Sequence, residues 1–374
     1  MDLSRIICAI CNKSKLINIY NLENVPISLS CSKEIIKNKS NMSFSQCENC
    51  KTIQLDRLIE LKLLYSESHN YTSVGETWNN YFNLFNTKIK TLIENKNILE
   101  IGCPSGKICL KNNNYNKWFI IEPNKNNNIL FNDKIIFIET FFDENFIFNE
   151  NIDIIIHSHL FEHIYEPNKF LKKCYDILPE NGEMIFGVPN MQYLVENNIC
   201  LYLGIFFEHT IFLNKENITY LLNNNGFDLI EIIDYENHST IYHVKKNITE
   251  KKYTIDIKIK DYYCHFFCVL NDYKLFINNC NCIIEKTKKD VFIFSASYNT
   301  QFLLSMEINI NKIKGILDNC NEKQNKYLYG FELLVYSPEI IKNNNCIVIL
   351  KNGYYFEEVF KQLKKMNPEV EIIY

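Results

Sequence analysis

Through the middle of the chain, short apolar runs alternate with polar, turn-forming stretches. The runs at 97–101, 118–121, 134–138, 153–156 and 183–188 have the length and Ile-rich character of strands buried on both faces. Helices are expected over 167–178 and 213–224, and the turn after residue 102 is expected to open another. Such regular alternation predicts a parallel sheet. From about residue 235 the pattern restarts. Strands are expected around 240–244 and 253–260, a helical stretch through 270–284, and strands at 291–294, 313–317, 333–336 and 347–350. That series has the outline of a second Rossmann-like unit, although Ser295-Ala296-Ser297 lacks the glycine turn of a dinucleotide site. The expected fold class is α/β in three units: a small Cys-rich N-terminal module over 1–66, a Rossmann-like domain over 67–234 and a C-terminal Rossmann-like α/β domain over 235–374.

Composition narrows the function classes. A chain of 374 residues, 47% hydrophobic and 22% charged, can build separate cores and is not disordered along most of its length. Net charge is −4, from 40 basic and 44 acidic side chains, and Arg5 and Arg57 are the only arginines. Arginine is the preferred reader of base edges and phosphate forks, so this balance argues against a nucleic-acid partner. The 53 asparagines, often in runs such as Asn126-Asn127-Asn128, accompany abundant Ile and Lys and look like the coding bias of an AT-rich genome. They carry no functional weight. The start has too short an apolar stretch for a signal peptide, and no run approaches bilayer length, so a cytoplasmic protein without membrane insertion is expected. In a reducing compartment, 15 cysteines raise the question of metal before that of disulfides.

Cys8-x-x-Cys11 and Cys47-x-x-Cys50 are two knuckle-like pairs. Each Cys-x-x-Cys turn places two thiolates on one side of a tight loop, and two such loops complete the tetrahedron that zinc prefers. Structural Zn2+ on Cys8, Cys11, Cys47 and Cys50 is therefore expected. Four sulfur ligands leave no open coordination position, so this metal folds the module and does no chemistry. Cys31 lies between the pairs and could replace one ligand. A redox role is the lesser alternative, for lack of a thioredoxin-like context.

In the central unit, Glu100-Ile101-Gly102-Cys103-Pro104-Ser105-Gly106 follows the first strand. A glycine at the carboxyl end of a first parallel strand lets a ligand approach the backbone closely. The second strand ends in Glu122, an acid suited to both ribose hydroxyls of an adenosine. The third leads into 139–143, where an adenine could rest, and Asp153 opens the fourth. A dinucleotide dehydrogenase would need a middle glycine where Pro104 stands, and proline has no N–H for a phosphate. S-adenosylmethionine (SAM), which has no phosphates, suffers less from that replacement.

These features together resemble the nucleotide-sugar methyltransferases that carry an N-terminal zinc domain, a class I SAM domain and a C-terminal Rossmann-like domain, such as sugar C-3 methyltransferases. The resemblance runs nearly end to end. It rests on the Cys pairs, Tyr71-Thr72-Ser73 with Trp78, LEIGCPSGKI (99–108), Glu122 and SHLFEHIYEP (158–167). VPN (188–190), FFEH (206–209), GF (226–227), ILDNCNEKQNKYLYG (316–330) and YSPE (336–339) complete it. It implies that Tyr71, Ser73, Glu100, Gly102, Cys103, Gly106 and Ser158 surround the cofactor, with Glu122 on the ribose and Thr140 and Phe141 flanking the adenine. It further implies that Glu208-His209 is the family's Glu-His pair, with His209 as general base. His159, Glu162 and His163 follow the fourth strand, on the edge from which such enzymes reach their acceptor, where they are candidates for catalysis or for helix capping.

One departure matters. The related C-methyltransferases have Tyr-x-Glu-His, whereas this chain has Phe206-Phe207-Glu208-His209. Carbon methylation requires an enolate, which a phenol hydroxyl stabilises and Phe206 cannot. Oxygen methylation needs only a base. The expected activity is thus SAM-dependent O-methylation of the sugar of a nucleotide-activated sugar, for bacterial surface polysaccharide or a glycosylated metabolite, by a monomer or homodimer. C-methylation of an NDP-4-keto-deoxysugar and a non-catalytic scaffold stay open as alternatives. A metal-assisted variant would draw on His157, His159, Glu162, His163 and His209. The third unit either helps form the nucleotide pocket, as the resemblance implies, or is a structural lid or dimer surface.

Overall fold

The computed structural model describes residues 2–64, 76–103, 106–124, 132–143, 145–197, 204–248, 260–351 and 355–374. Near the N-terminus, β1 (Leu16–Pro26), β2 (Lys39–Cys47) and β3 (Ile53–Leu55) form an antiparallel sheet in that order. The Cys pairs sit in the tight turns beside it, where Asn12 N–H donates to the Cys8 carbonyl and Lys51 N–H to the Cys47 carbonyl, each at 2.9 Å.

The central sheet comprises β4 (Asn97–Ile101), β5 (Lys117–Ile121), β6 (Ile135–Ile138), β7 (Ile154–Ser158), β8 (Glu183–Pro189), β9 (Phe227–Tyr235) and β10 (Ser239–Lys246). Their spatial order is β9-β10-β8-β7-β4-β5-β6, parallel except for β10, which runs antiparallel to both neighbours. Helix α1 (Glu76–Ile89) packs Tyr81, Phe85 and Ile89 against Ile98, Trp118, Ile120, Ile154 and Ile156 on one face. On the other face Leu99, Phe119, Ile155 and Phe186 join a core with Phe170 and Leu171 of α2 (Pro167–Ile177) and Leu221 of α3 (Lys215–Asn224). Alternate residues of each strand thus serve opposite layers, which is why the sequence shows unbroken apolar runs.

Beyond the long helix α4 (Tyr263–Lys286), a third sheet contains β11 (Asp290–Phe294), β12 (Ile313–Leu317), β13 (Val335–Tyr336), β14 (Cys346–Leu350) and β15 (Glu371–Ile373). Its order is β13-β12-β11-β14-β15, all parallel, the arrangement of a Rossmann-like half. Helices α5 (Tyr298–Ser305) and α6 (Phe356–Met366) follow β11 and β14. The units share one apolar core. In it Phe266 of α4 meets Phe44 of β2 edge-on at 5.3 Å between centroids, and Tyr273 meets Phe302 of α5 at the same distance.

Three expectations change. Strand β10, expected to open the third unit, pairs with β8 in the central sheet, so that sheet continues past residue 234. A single 3-10 turn (Cys109–Lys111), rather than an α-helix, follows β4. There the Asn112 side chain donates to the Ile108 carbonyl at 2.9 Å, competing with helix propagation. Helix α1 was not anticipated. The strand expected around 253–260 lies outside the described residues except for Lys260, which is not in a strand.

Candidate active site

The carboxyl ends of β4, β5 and β6 form a row. Gly102 N–H donates to the Ile121 carbonyl at 2.9 Å, and Glu122 N–H to the Ile138 carbonyl at 3.2 Å. The glycine turn, the acid and Thr140 therefore stand side by side next to the β4–β7 boundary, where the strand order reverses and α/β sheets bind ligands. Gly102 has φ +76°, and a Cβ there would lie 2.9 Å from Leu160 Cδ1, so this cradle accepts only glycine. Gly106, at φ +63°, continues the turn. Glu122 is largely buried, its Oε1 accepting from Asn124 N–H at 2.9 Å, and burial raises its carboxyl to about 7. Hydroxyl donors of a ribose would favour its charged form. Thr140 is half-buried and Phe141 exposed. The residues present fit SAM: two positive-φ glycines that suit the methionine part, a carboxylate that suits the ribose, and half-buried Thr140 with exposed Phe141 where the base would lie.

Glu100 and Cys103 are placed differently. Glu100 is buried under the turn, where Trp118 Nε1 donates to its Oε2 at 2.7 Å and burial raises its carboxyl to about 7. Cys103 is buried beside it. Neither side chain is exposed at the turn. Tyr71, Ser73, Pro104 and Ser105 lie outside the described residues.

Beyond β7 the histidines separate. His157 is fully buried with its ring stacked on Phe186, centroids 4.7 Å apart, and burial lowers it to about 3. It is a neutral core residue and leaves the group expected to gather at the acceptor. Ser158 Oγ lies 2.8 Å from the hydroxyl of buried Tyr81. His159, at φ +52°, turns into an aromatic box of Trp78 and Tyr81, with Nε2 2.9 Å from Ser239 Oγ. Its Nδ1 is 3.3 Å from Glu162 Oε1. Glu162 is buried and joins His163 and His209 in a group whose ligand atoms all lie within 4.8 Å of one another. Two imidazoles and a carboxylate can share a proton or hold a divalent cation. The rings of His163 and His209 meet edge-on at 4.6 Å, and Glu208 Oε2 is 3.7 Å from His163 Nδ1. Four of the five expected catalytic residues thus converge, with His159 joined through Glu162.

Residues missed from the sequence hold this cluster. His209 lies in a turn closed by Phe206 N–H to the His209 carbonyl at 3.0 Å, ahead of α3 rather than at its start. Just after it, Leu55 N–H of β3 donates to the Thr210 carbonyl at 2.8 Å, and Phe212 N–H to the Ile53 carbonyl at 2.9 Å. Arg5 donates to Leu55, Thr210 and Tyr165. Its rarity in a Lys-rich chain was the one available signal. The N-terminal module therefore clamps the turn that carries His209.

Inside that module the four expected sulfurs lie within 4.8 Å of one another, with Cys8–Cys50 at 3.4 Å and Cys11–Cys47 at 3.6 Å. Tetrahedral zinc with bonds of about 2.3 Å sets its sulfurs roughly 3.8 Å apart, so the set fits a structural ion. Asn168 of α2 donates to the Ala9 and Ile10 carbonyls at 2.8 and 3.1 Å, tying this knuckle to the central unit. Cys31 lies elsewhere, in the short strand Cys31–Ser32 that pairs with Tyr327–Leu328.

Residues 78–232 match a family model described as a methyltransferase domain. The chain carries a class I SAM-dependent methyltransferase domain. Among solved structures, this methyltransferase domain is similar to a SAM-dependent methyltransferase of Mesorhizobium loti, at 9% identity over 46% of this chain and 99% of that one, TM-score 0.38. The N-methyltransferase NodS of Bradyrhizobium japonicum bound to S-adenosylhomocysteine gives 12% identity over 46% and 89%, TM-score 0.36. A SAM-dependent methyltransferase of Aquifex aeolicus gives 12% over 46% and 100%, TM-score 0.35. No curated protein matches the sequence significantly. Among the described residues, no helix of this methyltransferase is long and apolar enough to cross a membrane.

Proposed function

We propose that this methyltransferase modifies the sugar of a nucleotide-activated sugar, transferring a methyl group to a hydroxyl in cytoplasmic synthesis of a bacterial surface polysaccharide or a glycosylated metabolite. The observation carrying this reading is the Glu208–His209 pair, placed with His163 and Glu162 beyond the carboxyl end of β7. A sugar hydroxyl attacks only as its proton leaves, and an imidazole backed by a carboxylate takes that proton near neutral pH. SAM, when bound, supplies an electrophilic methyl group. Gly102 and Gly106 hold its methionine part, Glu122 accepts from its ribose hydroxyls, and Thr140 and Phe141 flank its base. Zinc on the four cysteines fixes the module that clamps the His209 turn, and the third unit contributes to the nucleotide pocket.

A second reading is C-methylation of an NDP-4-keto-deoxysugar. The observation favouring it is Tyr298, whose ring lies on Phe206 with centroids 4.0 Å apart and which brings a phenol to the place where position 206 lacks one. Incubation with labelled SAM and a panel of nucleotide sugars, 4-keto forms included, separates the readings. NMR showing the methyl on oxygen supports the first, and a methyl on carbon replaces it with the second. No release of S-adenosylhomocysteine with any of them overturns both.

A further inference from the structure

In a dinucleotide-binding Rossmann unit, the turn after the first strand is glycine-rich and the acid closing the second strand takes a ribose. The third unit has the strand order for this, yet its own side chains occupy that place. Asp318, closing β12, accepts from Ala296 N–H at 2.9 Å, and Lys323 lies 3.3 Å from the same carboxylate while donating to the Ala296 carbonyl at 2.8 Å. Behind the turn, buried Gln301 donates to the Ser28 and Tyr329 carbonyls at 2.9 and 3.0 Å, and Asn299 accepts from Tyr273 Oη at 2.6 Å. The first residue of α5 is thereby held in a fixed direction, toward the methyltransferase cluster. The Tyr298 hydroxyl donates to Glu208 Oε1, whose other oxygen faces His163 Nδ1. The Tyr298 ring lies on Phe206, and Phe206 lies in turn on His209, centroids 4.0 and 4.2 Å apart.

We propose that Tyr298 is a positioning residue of the methyltransferase site, supplied by the third unit. Its phenol fixes the orientation of the Glu208 carboxylate, and its ring completes a run of three tilted rings in contact that fixes His209. A carboxylate 3.7 Å from His163 Nδ1 is beyond hydrogen-bond reach but favours by its charge the tautomer with the proton on that nitrogen, and so leaves Nε2 as the acceptor. The third unit is on this view a part of the catalytic centre built from a disused nucleotide turn. The inference rests on the proposed role of the Glu208–His209 pair but not on the identity of the acceptor.

The test therefore needs no acceptor. The full chain, saturated with S-adenosylhomocysteine and labelled with 15N-histidine, is compared by long-range 1H–15N NMR with Tyr298→Phe, which keeps the ring and removes the donor. The native protein should show His163 as the single Nδ1–H tautomer, and Tyr298→Phe should show a mixture. Identical tautomer patterns overturn the proposal, even if the variant melts at a lower temperature, because a merely structural tyrosine would change stability alone. Glu208→Gln keeps the tyrosine and serves as the second variant. With 13Cζ-tyrosine, the Tyr298 signal should move between native protein and Glu208→Gln, and a signal that stays in place overturns the proposal equally.

Discussion

Arg5 reaches across 205 positions of sequence to the residue beside His209, donating to the Thr210 carbonyl and hydroxyl at 3.2 Å each. The same guanidinium donates to the Leu55 carbonyl at 3.0 Å and the Tyr165 carbonyl at 2.8 Å. One side chain therefore ties the N-terminal module, the segment after β7 and the turn that carries His209 together. Burial lowers it only to about 10, so it stays charged at neutral pH. Removing it withdraws a charged donor from three carbonyls, of which that of Thr210 keeps Leu55 N–H, at about 1–3 kcal/mol for each one left unpaired. Arg5→Met should destabilise the protein by about 2–4 kcal/mol. It should lower turnover more than SAM affinity, because the cofactor row stands on β4, β5 and β6. Urea unfolding and calorimetry measure both, and native stability in the variant would contradict the clamp.

Zinc removal should act through the same clamp. The Cys8 and Cys11 knuckle is tied to α2 by Asn168, and β3 beside the second pair holds residues 210–212. Metal-thiolate modules of this size fold with their ion. Elemental analysis should find one zinc per chain, and Cys8→Ser should reduce it sharply. Chelation should abolish turnover and expose the module to proteolysis while SAM still binds. Full activity in a zinc-free preparation would separate the module from catalysis.

Five of the seven strands of the central sheet were legible as continuous Ile-rich runs between turn residues, and β4, β5, β6, β7 and β8 begin within a residue or so of their expected places, whereas β9 was not expected. The Cys quartet was legible from spacing alone. Helix α1 also left a signal, since Trp78, Tyr81, Phe82, Phe85 and Ile89 recur at helical spacing. The pairing of β10 with β8 is non-local and had no local mark. Nor could sequence distinguish His157 from His163, six positions apart, because full burial on a sheet face and partial burial after its edge depend on tertiary packing. Tyr298 reaches Glu208 from another unit, a relationship without any pattern in the chain.

Glu122 gives a pH test. Burial raises its carboxyl to about 7, as it does for Glu100. A raised folded-state value contributes stability below the ordinary carboxylate range, and that contribution is lost as pH rises through about 7. The cofactor-free protein should therefore lose stability between about pH 4.5 and 7. Glu122→Gln should remove part of that slope. Ribose hydroxyls donate to the ionised form, so SAM should bind more tightly as pH passes through 7. In Glu122→Gln that pH dependence should be lost and affinity should fall about tenfold, the equivalent of one hydrogen bond. Calorimetry across pH measures it, and an unchanged affinity in the variant would remove Glu122 from the ribose site.

His209→Asn tests the base itself. The side chain remains polar, while the imidazole proposed to take the acceptor's proton is gone. Turnover should fall about 10²–10⁴-fold, the usual contribution of a positioned general base. SAM affinity should stay within about twofold, since Gly102, Glu122 and Thr140 follow β4, β5 and β6, whereas His209 stands in the turn ahead of α3. The split matters because a collapsed turn would also disturb Arg5 and β3 and would appear as lost stability. Native melting, native SAM binding and a loss of turnover together assign the proton transfer to His209. Native turnover in His209→Asn would instead leave His163, backed by Glu208 and Glu162, as the remaining imidazole in the cluster able to take the proton.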